Sequence, residues 1–435
     1  MATPRREYHV ISADSHTVEP PDLWETWLER KYLDTAPKLV EDRDGGTLPT
    51  ASVPGGGGYA EGLATTRGDL GLVGRTLAGD WLLTVRGSAV LQDHRHRFGD
   101  LRERDRHASW FGEVSLTRQI GPAVVVVGGG VEADQYRNRT LPAFDYSFTA
   151  PGLFAQGEWT PADPLTLALA ARLDHHSAYG TFLSPRLSGL LRLGGGWTAR
   201  VSGGTGYFGP TPFTEETEAT GLTPILPPDG LTAETAGSGA VDLGGVVGPL
   251  ELNLTLFAST IHGAVRLAAS GGQFRLVNAV EPSRTAGADL LLRYRQPPWH
   301  LTTTYTLVQA TEGDPIGAGR RTVPLTPRHA AGLVAGWERE GQTFVAVELY
   351  FTGRQTLEAN PFRTRSRPFT IVGALVQQRV AGVRLFLNLE NLTDARQTRY
   401  DPLLLPVRAP DGRWTTDAWA PLDGRTINGG IRLAW

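Results

Sequence analysis

Apolar and polar side chains alternate along most of this chain, and a period of two limits it to strands. In one run Leu165, Leu167, Leu169, Ala171 and Leu173 share a face, against Thr166, Ala168, Ala170, Arg172 and Asp174. Successive side chains of a strand point to opposite sides, so such a run has one greasy face and one wet face. Leu250, Leu252, Leu254 and Leu256 alternate with Glu251, Asn253 and Thr255 in the same way. Trp299, Leu301, Thr303, Tyr305 and Leu307 oppose His300, Thr302, Thr304 and Thr306. The last run places Ile427, Gly429, Ile431, Leu433 and Trp435 on one face, with Asn428, Gly430, Arg432 and Ala434 on the other. A strand that stops on an aromatic residue suits a sheet whose greasy side meets lipid, with the ring at the interface.

The alternation persists from about Glu61 to Trp435 and predicts roughly 16–18 strands, more than a sandwich uses. Short connections such as Ile120-Gly121-Pro122, Gly194-Gly195-Gly196 and Gln296-Pro297-Pro298 alternate with long polar ones at 94–106, 209–231, 313–323 and 395–425. Short turns at one rim and long loops at the other predict an antiparallel transmembrane β-barrel. Leu165, Leu167, Leu169, Leu252, Leu254, Leu433 and Trp435 are then expected to face outward, and Arg172 and Arg432 inward. No run is long and apolar enough for a spanning helix. The mean hydropathy of −0.21 fits a barrel, whose interior positions dilute the apolar ones. A net charge of −3 gives no field for nucleic acid, so no nucleic-acid partner is expected. With no cysteine, a thiolate metal site, a disulfide scaffold and a cysteine nucleophile are all excluded.

The start of the chain reads differently. Lys31 and Lys38 lie within residues 1–46, and beyond them arginine is the strong cation. Asp22 to Leu33 has helical spacing after Pro20-Pro21. The expected division is an α/β-type extension at 1–46, a Gly-rich linker at 47–60 and the barrel at 61–435. No apolar core of signal-peptide length follows Met1 to Arg6.

Few residues carry chemistry. Asp14 and His16, two apart after the apolar run Tyr8 to Ile11, could share a metal ion. Residues 8–46 resemble the opening of amidohydrolase-type metal-dependent hydrolases, whose first barrel strand delivers such ligands. Those enzymes need further ligands from later strands of a (β/α)₈ barrel, and no alternation of helices and strands follows. The run 94-HRHRFGDLRERDRH-107 reads as a solvated, arginine-rich loop that could meet an anion, and His175-His176 as a loop pair. Gly128-Gly129-Gly130 precedes no helix, so it is not a phosphate loop. No cofactor is implied, and no enzymatic activity is expected.

The remainder resembles the C-terminal part of the barrel of TonB-dependent outer-membrane receptors. The resemblance is carried by Ser184-Pro185-Arg186-Leu187-Ser188, by Gly206-Tyr207-Phe208-Gly209-Pro210 and by Arg284-Thr285-Ala286-Gly287-Ala288-Asp289-Leu290. Pro324-Leu325-Thr326-Pro327-Arg328-His329, Tyr350-Phe351-Thr352-Gly353-Arg354-Gln355 and Asn388-Leu389-Glu390-Asn391-Leu392-Thr393-Asp394 follow in order, and Trp435 ends the chain. It implies a receptor in the outer membrane that takes up a siderophore, a cobalamin or a similar nutrient. The implied partners are outer-membrane lipid, the nutrient ligand and an inner-membrane energy-coupling protein. Complete receptors of that family resemble a 22-stranded barrel holding a globular plug. Here the plug, the coupling segment and the first barrel strands are expected to be absent, so energy-coupled transport is not expected. A passive pore and a hydrolase fragment fused to a barrel are the alternatives. Ligand recognition is expected on the long loops, where Arg396, Arg399, Tyr400, Arg408, Arg413, Trp414 and Trp419 suit an anionic ligand or an outer-leaflet phosphate.

Overall fold

The computed structural model describes residues 38–41, 47–52, 58–98, 101–214, 217, 221–270, 273–315, 319–358, 360–405 and 416–433. The strands in chain order are β1 (Lys38–Glu41), β2 (Thr47–Ser52), β3 (Gly58–Ala78), β4 (Trp81–Phe98), β5 (Leu101–Ile120) and β6 (Ala123–Asn138). Then come β7 (Tyr146–Ala162), β8 (Leu165–His176), β9 (Gly180–Gly194), β10 (Trp197–Phe208), β11 (Glu234–Val247) and β12 (Leu250–His262). After them run β13 (Val265–Ser270), β14 (Gln273–Asn278), β15 (Ser283–Gln296), β16 (Trp299–Gly313) and β17 (Arg320–Thr322). The last five are β18 (His329–Arg339), β19 (Thr343–Thr352), β20 (Phe369–Val380), β21 (Val383–Glu390) and β22 (Thr426–Leu433). Among the described residues 17 strands have eight residues or more, as the alternation predicts.

The chain divides into two compact units: residues 1–66, 92–106 and 138–140 form one, and the remainder forms the other. In the first, β1 pairs antiparallel with β2, and β2 with the start of β3. In the second, an unbroken antiparallel meander runs from β6 to β12, on through β15, β16 and β18, and then through β19 to β22. The β13–β14 hairpin stands apart from it in the connection after β12.

Registers keep like faces together. Leu167 lies opposite Trp159 and Gly189, and Leu254 opposite Leu243 and Leu290. Exposure follows the same parity: Leu153, Leu169, Leu187 and Ile431 are 68, 61, 59 and 68 % exposed. Large apolar residues so bare are costly in water and belong in lipid. Arg172 lies on the other face, its Nε donating to Asp174 Oδ1 at 2.8 Å. Arg432 likewise lines a groove there with Glu348, Gln377, Arg384, Asn388 and Glu390. The side chains of Leu433 and Trp435 lie outside the described residues.

Glycine sets the tightest turns. Gly194, Gly195 and Gly196 have φ of 85°, 59° and 82°, a left-handed run that a Cβ would resist. The three glycines at 128–130 are strand interior. A Cβ on Gly128 would come within 2.5 Å of the Phe154 ring, so the gap in β6 lets that ring lie across it.

Three expectations differ from the structure. Residues 94–106 are not a loop: β4 continues to Phe98 and β5 begins at Leu101, because the run keeps a period of two in charge rather than hydrophobicity. His175 and His176 are not a loop pair but the last residues of β8, on opposite faces, with His176 buried and His175 exposed. Thr47–Ser52, in the expected linker, is strand β2. The helix expected at 22–33, together with Asp14 and His16, lies outside the described residues.

Candidate ligand-recognition site

The short connections place the opposite strand ends side by side, and there the long loops gather. The last of these, 391–425, is tied at its root. Asn391, with φ 47°, accepts the Ala395 N–H on Oδ1 at 2.8 Å. Its Nδ2 donates to the carbonyls of Ala395 at 3.0 Å and Asp423 at 3.1 Å. One side chain thus clamps the exit from β21 to the entry of β22, a physical reason for the Asn-Leu-Thr-Asp stretch.

Beyond the clamp the loop is built on a buried polar network. Gln397 is fully buried; its Oε1 accepts the Trp419 N–H at 2.8 Å and its Nε2 donates to the Asp417 carbonyl at 2.9 Å. The Trp419 indole, 3 % exposed, donates to Asp401 Oδ2 at 3.2 Å, and Asp401 Oδ1 accepts Arg363 Nη2 at 2.6 Å. Gln355 Nε2 donates to the Trp419 carbonyl at 2.8 Å. Arg363 and Gln355 belong to the connection between β19 and β20, so the two long loops form one platform. Buried polar groups that are all paired rigidify the segments they join.

The expected ligand-facing residues therefore have distinct surroundings. Trp419 lies inside the platform. Arg396 and Arg399 both pair with Asp394, Arg396 at 3.1 Å. Burial alone would raise the Asp394 carboxyl, but the charges of Arg396, Arg399 and Arg425 outweigh it and hold it below the usual carboxylate range. Tyr400 is exposed, with the Arg367 guanidinium 4.6 Å from its ring centroid and Trp419 stacked at 6.1 Å beneath. Arg408, Arg413 and Trp414 lie outside the described residues. Arg367 is missing from the sequence-based set, because only folding brings the β19–β20 connection to Tyr400.

A second cluster at the same end has no counterpart in the sequence reading. His107 Nε2 lies 2.5 Å from Asp134 Oδ1, whose other oxygen accepts the Tyr146 hydroxyl at 3.1 Å. Phe213 of the 209–233 connection stacks on His107 at 6.3 Å and meets Tyr136 edge-on at 4.8 Å. Tyr146, Phe148, His176 and Tyr179 continue the series at 4.6, 5.0 and 4.8 Å, and the Tyr179 hydroxyl donates to the Pro210 carbonyl at 2.6 Å. Leu222, Ile225, Leu267 and Phe274 close this core. His107 and His176 are thereby joined by packing across more than 60 positions of sequence, which no local motif signals. Among the described residues no group of three or more His, Asp or Glu side chains could hold a metal ion. The loop end instead offers aromatic faces and guanidinium groups, chemistry suited to a bulky anionic ligand.

Comparison with solved structures agrees on the fold. A point mutant of the ferric enterobactin receptor PfeA of Pseudomonas aeruginosa matches with a TM-score of 0.68 at 15 % identity, over 85 % of this chain and 61 % of that one. The FrpB iron transporter of Neisseria meningitidis (F3-3 variant) matches at 0.67 with 12 % identity, over 86 % and 63 %. The ferric yersiniabactin uptake receptor FyuA of Yersinia pestis matches at 0.61 with 15 % identity, over 87 % and 62 %. The chain spans less than two thirds of the length of these receptors. No curated protein sequence matches it. The sequence profile described as "TonB dependent receptor-like, beta-barrel" matches residues 20–392, a range that begins inside the segment resembling a hydrolase. The chain belongs to the TonB-dependent receptor-like β-barrel family.

Proposed function

We propose that this chain forms the barrel of an outer-membrane receptor that takes up a metal held in an anionic organic chelate of the siderophore type. The observation that carries this reading is the exposed Arg367–Tyr400 pair, standing on loops that Gln397, Asp401 and Trp419 hold rigid. A guanidinium over an aromatic ring offers a charged donor and a stacking face together, which an aromatic or carboxylate-rich chelate can use. Rigid loops lower the entropy lost on binding. The iron-uptake receptors among the structural neighbours support the same ligand class.

The test is quenching of tryptophan fluorescence by ferric catecholate, hydroxamate and carboxylate chelates on the purified, detergent-solubilised chain. One class should bind, and Arg367→Ala or Tyr400→Ala should weaken it about tenfold. Equal, weak quenching by all three, unchanged in both variants, would overturn the reading. Membership in the family implies an inner-membrane energy-coupling protein as partner. Growth on the bound chelate in strains with and without that protein separates coupled uptake from a passive pore.

A further inference from the structure

One polar group at the loop end brings three unlike donors together. Asp134 Oδ1 lies 2.5 Å from His107 Nε2, and Asp134 Oδ2 accepts the Tyr146 hydroxyl at 3.1 Å. Three strands supply them: His107 comes from β5, Asp134 from β6 and Tyr146 from the start of β7. Cross-strand register sets Asp134 opposite Phe148 and Tyr136 opposite Tyr146. The Phe148 ring meets His176 at 5.0 Å, and His176 shares the parity of Arg172 and Asp174, so the group stands on the polar face. Its rings are held in place, with Tyr136 stacked on Tyr146 at 5.7 Å and Phe213 on His107 at 6.3 Å. The His107 and Asp134 side chains are 32 % and 35 % exposed, and Tyr146 is 9 % exposed. An ion in the water on that face therefore reaches the imidazole and the carboxylate first.

Other carboxylates at this end carry a guanidinium: Asp145 pairs with Arg137 at 3.2 Å, Asp174 with Arg172 at 2.8 Å and Asp401 with Arg363 at 2.6 Å. Among the described residues the contacts of Asp134 are an imidazole and a phenol, both able to ligate a metal ion. Two ligands about 2.1 Å from an ion, at right angles to each other, lie about 3 Å apart. The spacings of 2.5 and 3.1 Å bracket that value, so a small opening of the His107–Asp134 contact admits an ion among the three. We infer that His107, Asp134 and Tyr146 bind a bare ferric ion, using none of the residues of the chelate platform at Arg367 and Tyr400. The donor set selects the metal. The chain has no thiolate for a soft ion, calcium takes oxygen donors alone, and zinc sites are built from Cys, His and carboxylate rather than phenol. A phenolate with a carboxylate and an imidazole suits hard trivalent iron. On binding, the phenol proton leaves to solvent and the imidazole takes the tautomer with Nε2 free. Three protein donors leave positions open to water or to an oxygen of the chelate that delivers the iron.

Ferric nitrilotriacetate titrated into the full chain in detergent tests this site. Coordination by a phenolate gives a visible charge-transfer band that the probe alone lacks, and a single equivalent of iron should saturate it. Tyr146→Phe keeps the ring in the core and should abolish the band, whereas Tyr136→Phe and Tyr400→Phe should retain it. Asp134→Asn, which keeps an acceptor for the Tyr146 hydroxyl, should weaken loading about tenfold or more. Circular dichroism equal to that of the parent confirms that each variant compared is folded. No band in the parent chain overturns the inference, as does a band that survives Tyr146→Phe or is lost with Tyr400→Phe. Full displacement of the iron by equimolar zinc does so too, since it marks a site for divalent ions. The receptor reading is judged apart: chelate quenching that depends on Arg367, without a band, sinks this site alone, and a band without such quenching sinks the receptor reading alone.

Discussion

Replacing Gln397 with alanine should open the loop platform without disturbing the sheet. Gln397 is fully buried, and its two shortest bonds join the Trp419 N–H at 2.8 Å and the Asp417 carbonyl at 2.9 Å. Gln397→Ala leaves a buried donor and a buried acceptor unpaired, each at a cost of about 1–3 kcal/mol, or roughly 2–6 kcal/mol together. At about 1.4 kcal/mol per decade, that raises the open fraction of the loop roughly 30- to 20,000-fold. Water entering the vacated space re-pairs some of these groups, so the lower end is expected. Gln397→Glu keeps the acceptor and loses the donor to Asp417, and should fall between. The assay is hydrogen–deuterium exchange of peptides covering 396–405, 416–425 and 353–368, with peptides from β8 and β9 as reference. Protection in the loops should drop about tenfold or more, while β8 and β9 stay unchanged, since their ladder does not involve Gln397. Loop exchange identical to that of the parent chain would show that the network does not hold the platform.

Two further outcomes follow from the faces and the charges. Leu169→Arg, on the apolar face, should destabilise the chain in lipid vesicles by about 2–4 kcal/mol, whereas Ala170→Arg one residue along should cost little; equal effects in urea unfolding would contradict the assignment of faces. The Asp394 carboxyl is held below its ordinary range in the folded loop, so its pairing with Arg396 and Arg399 contributes stability above the unfolded carboxylate range, and that contribution is lost as pH falls through the folded value. Proteolysis of the 391–425 loop should therefore speed up below about pH 4 and not between pH 6 and 8; a loop equally resistant at pH 3 would refute this.

The strand succession was legible because lipid and water impose opposite demands on the two faces of each strand. Leu165 to Asp174 and Leu250 to Leu256 display that demand directly, and their strands lie where the alternation places them. The same logic failed at 94–107, where both faces are polar. Histidine and buried carboxylates alternate there with arginine, a period of two that an apolar–polar reading passes over. The loop platform was illegible for another reason. Gln397, Asp401 and Trp419 are close in sequence, but their partners Gln355 and Arg363 come from a different connection, and Arg367 reaches Tyr400 by the same route. Such pairings depend on which loops the meander brings together, and neither composition nor spacing encodes that. The clamp at Asn391 was visible as a motif, and its role emerges from the carbonyls of Ala395 and Asp423.

That the meander crosses a membrane with its apolar parity outward can be tested directly. The chain has no cysteine, so single cysteines at 165–174 can be introduced and labelled without background. After reconstitution in vesicles, spin labels at 165, 167, 169, 171 and 173 should be relaxed by oxygen dissolved in the bilayer. Labels at 166, 168, 170, 172 and 174 should respond to a water-soluble nickel chelate. A two-residue period in that ratio is the predicted result; a flat profile, or water accessibility at every position, would contradict it.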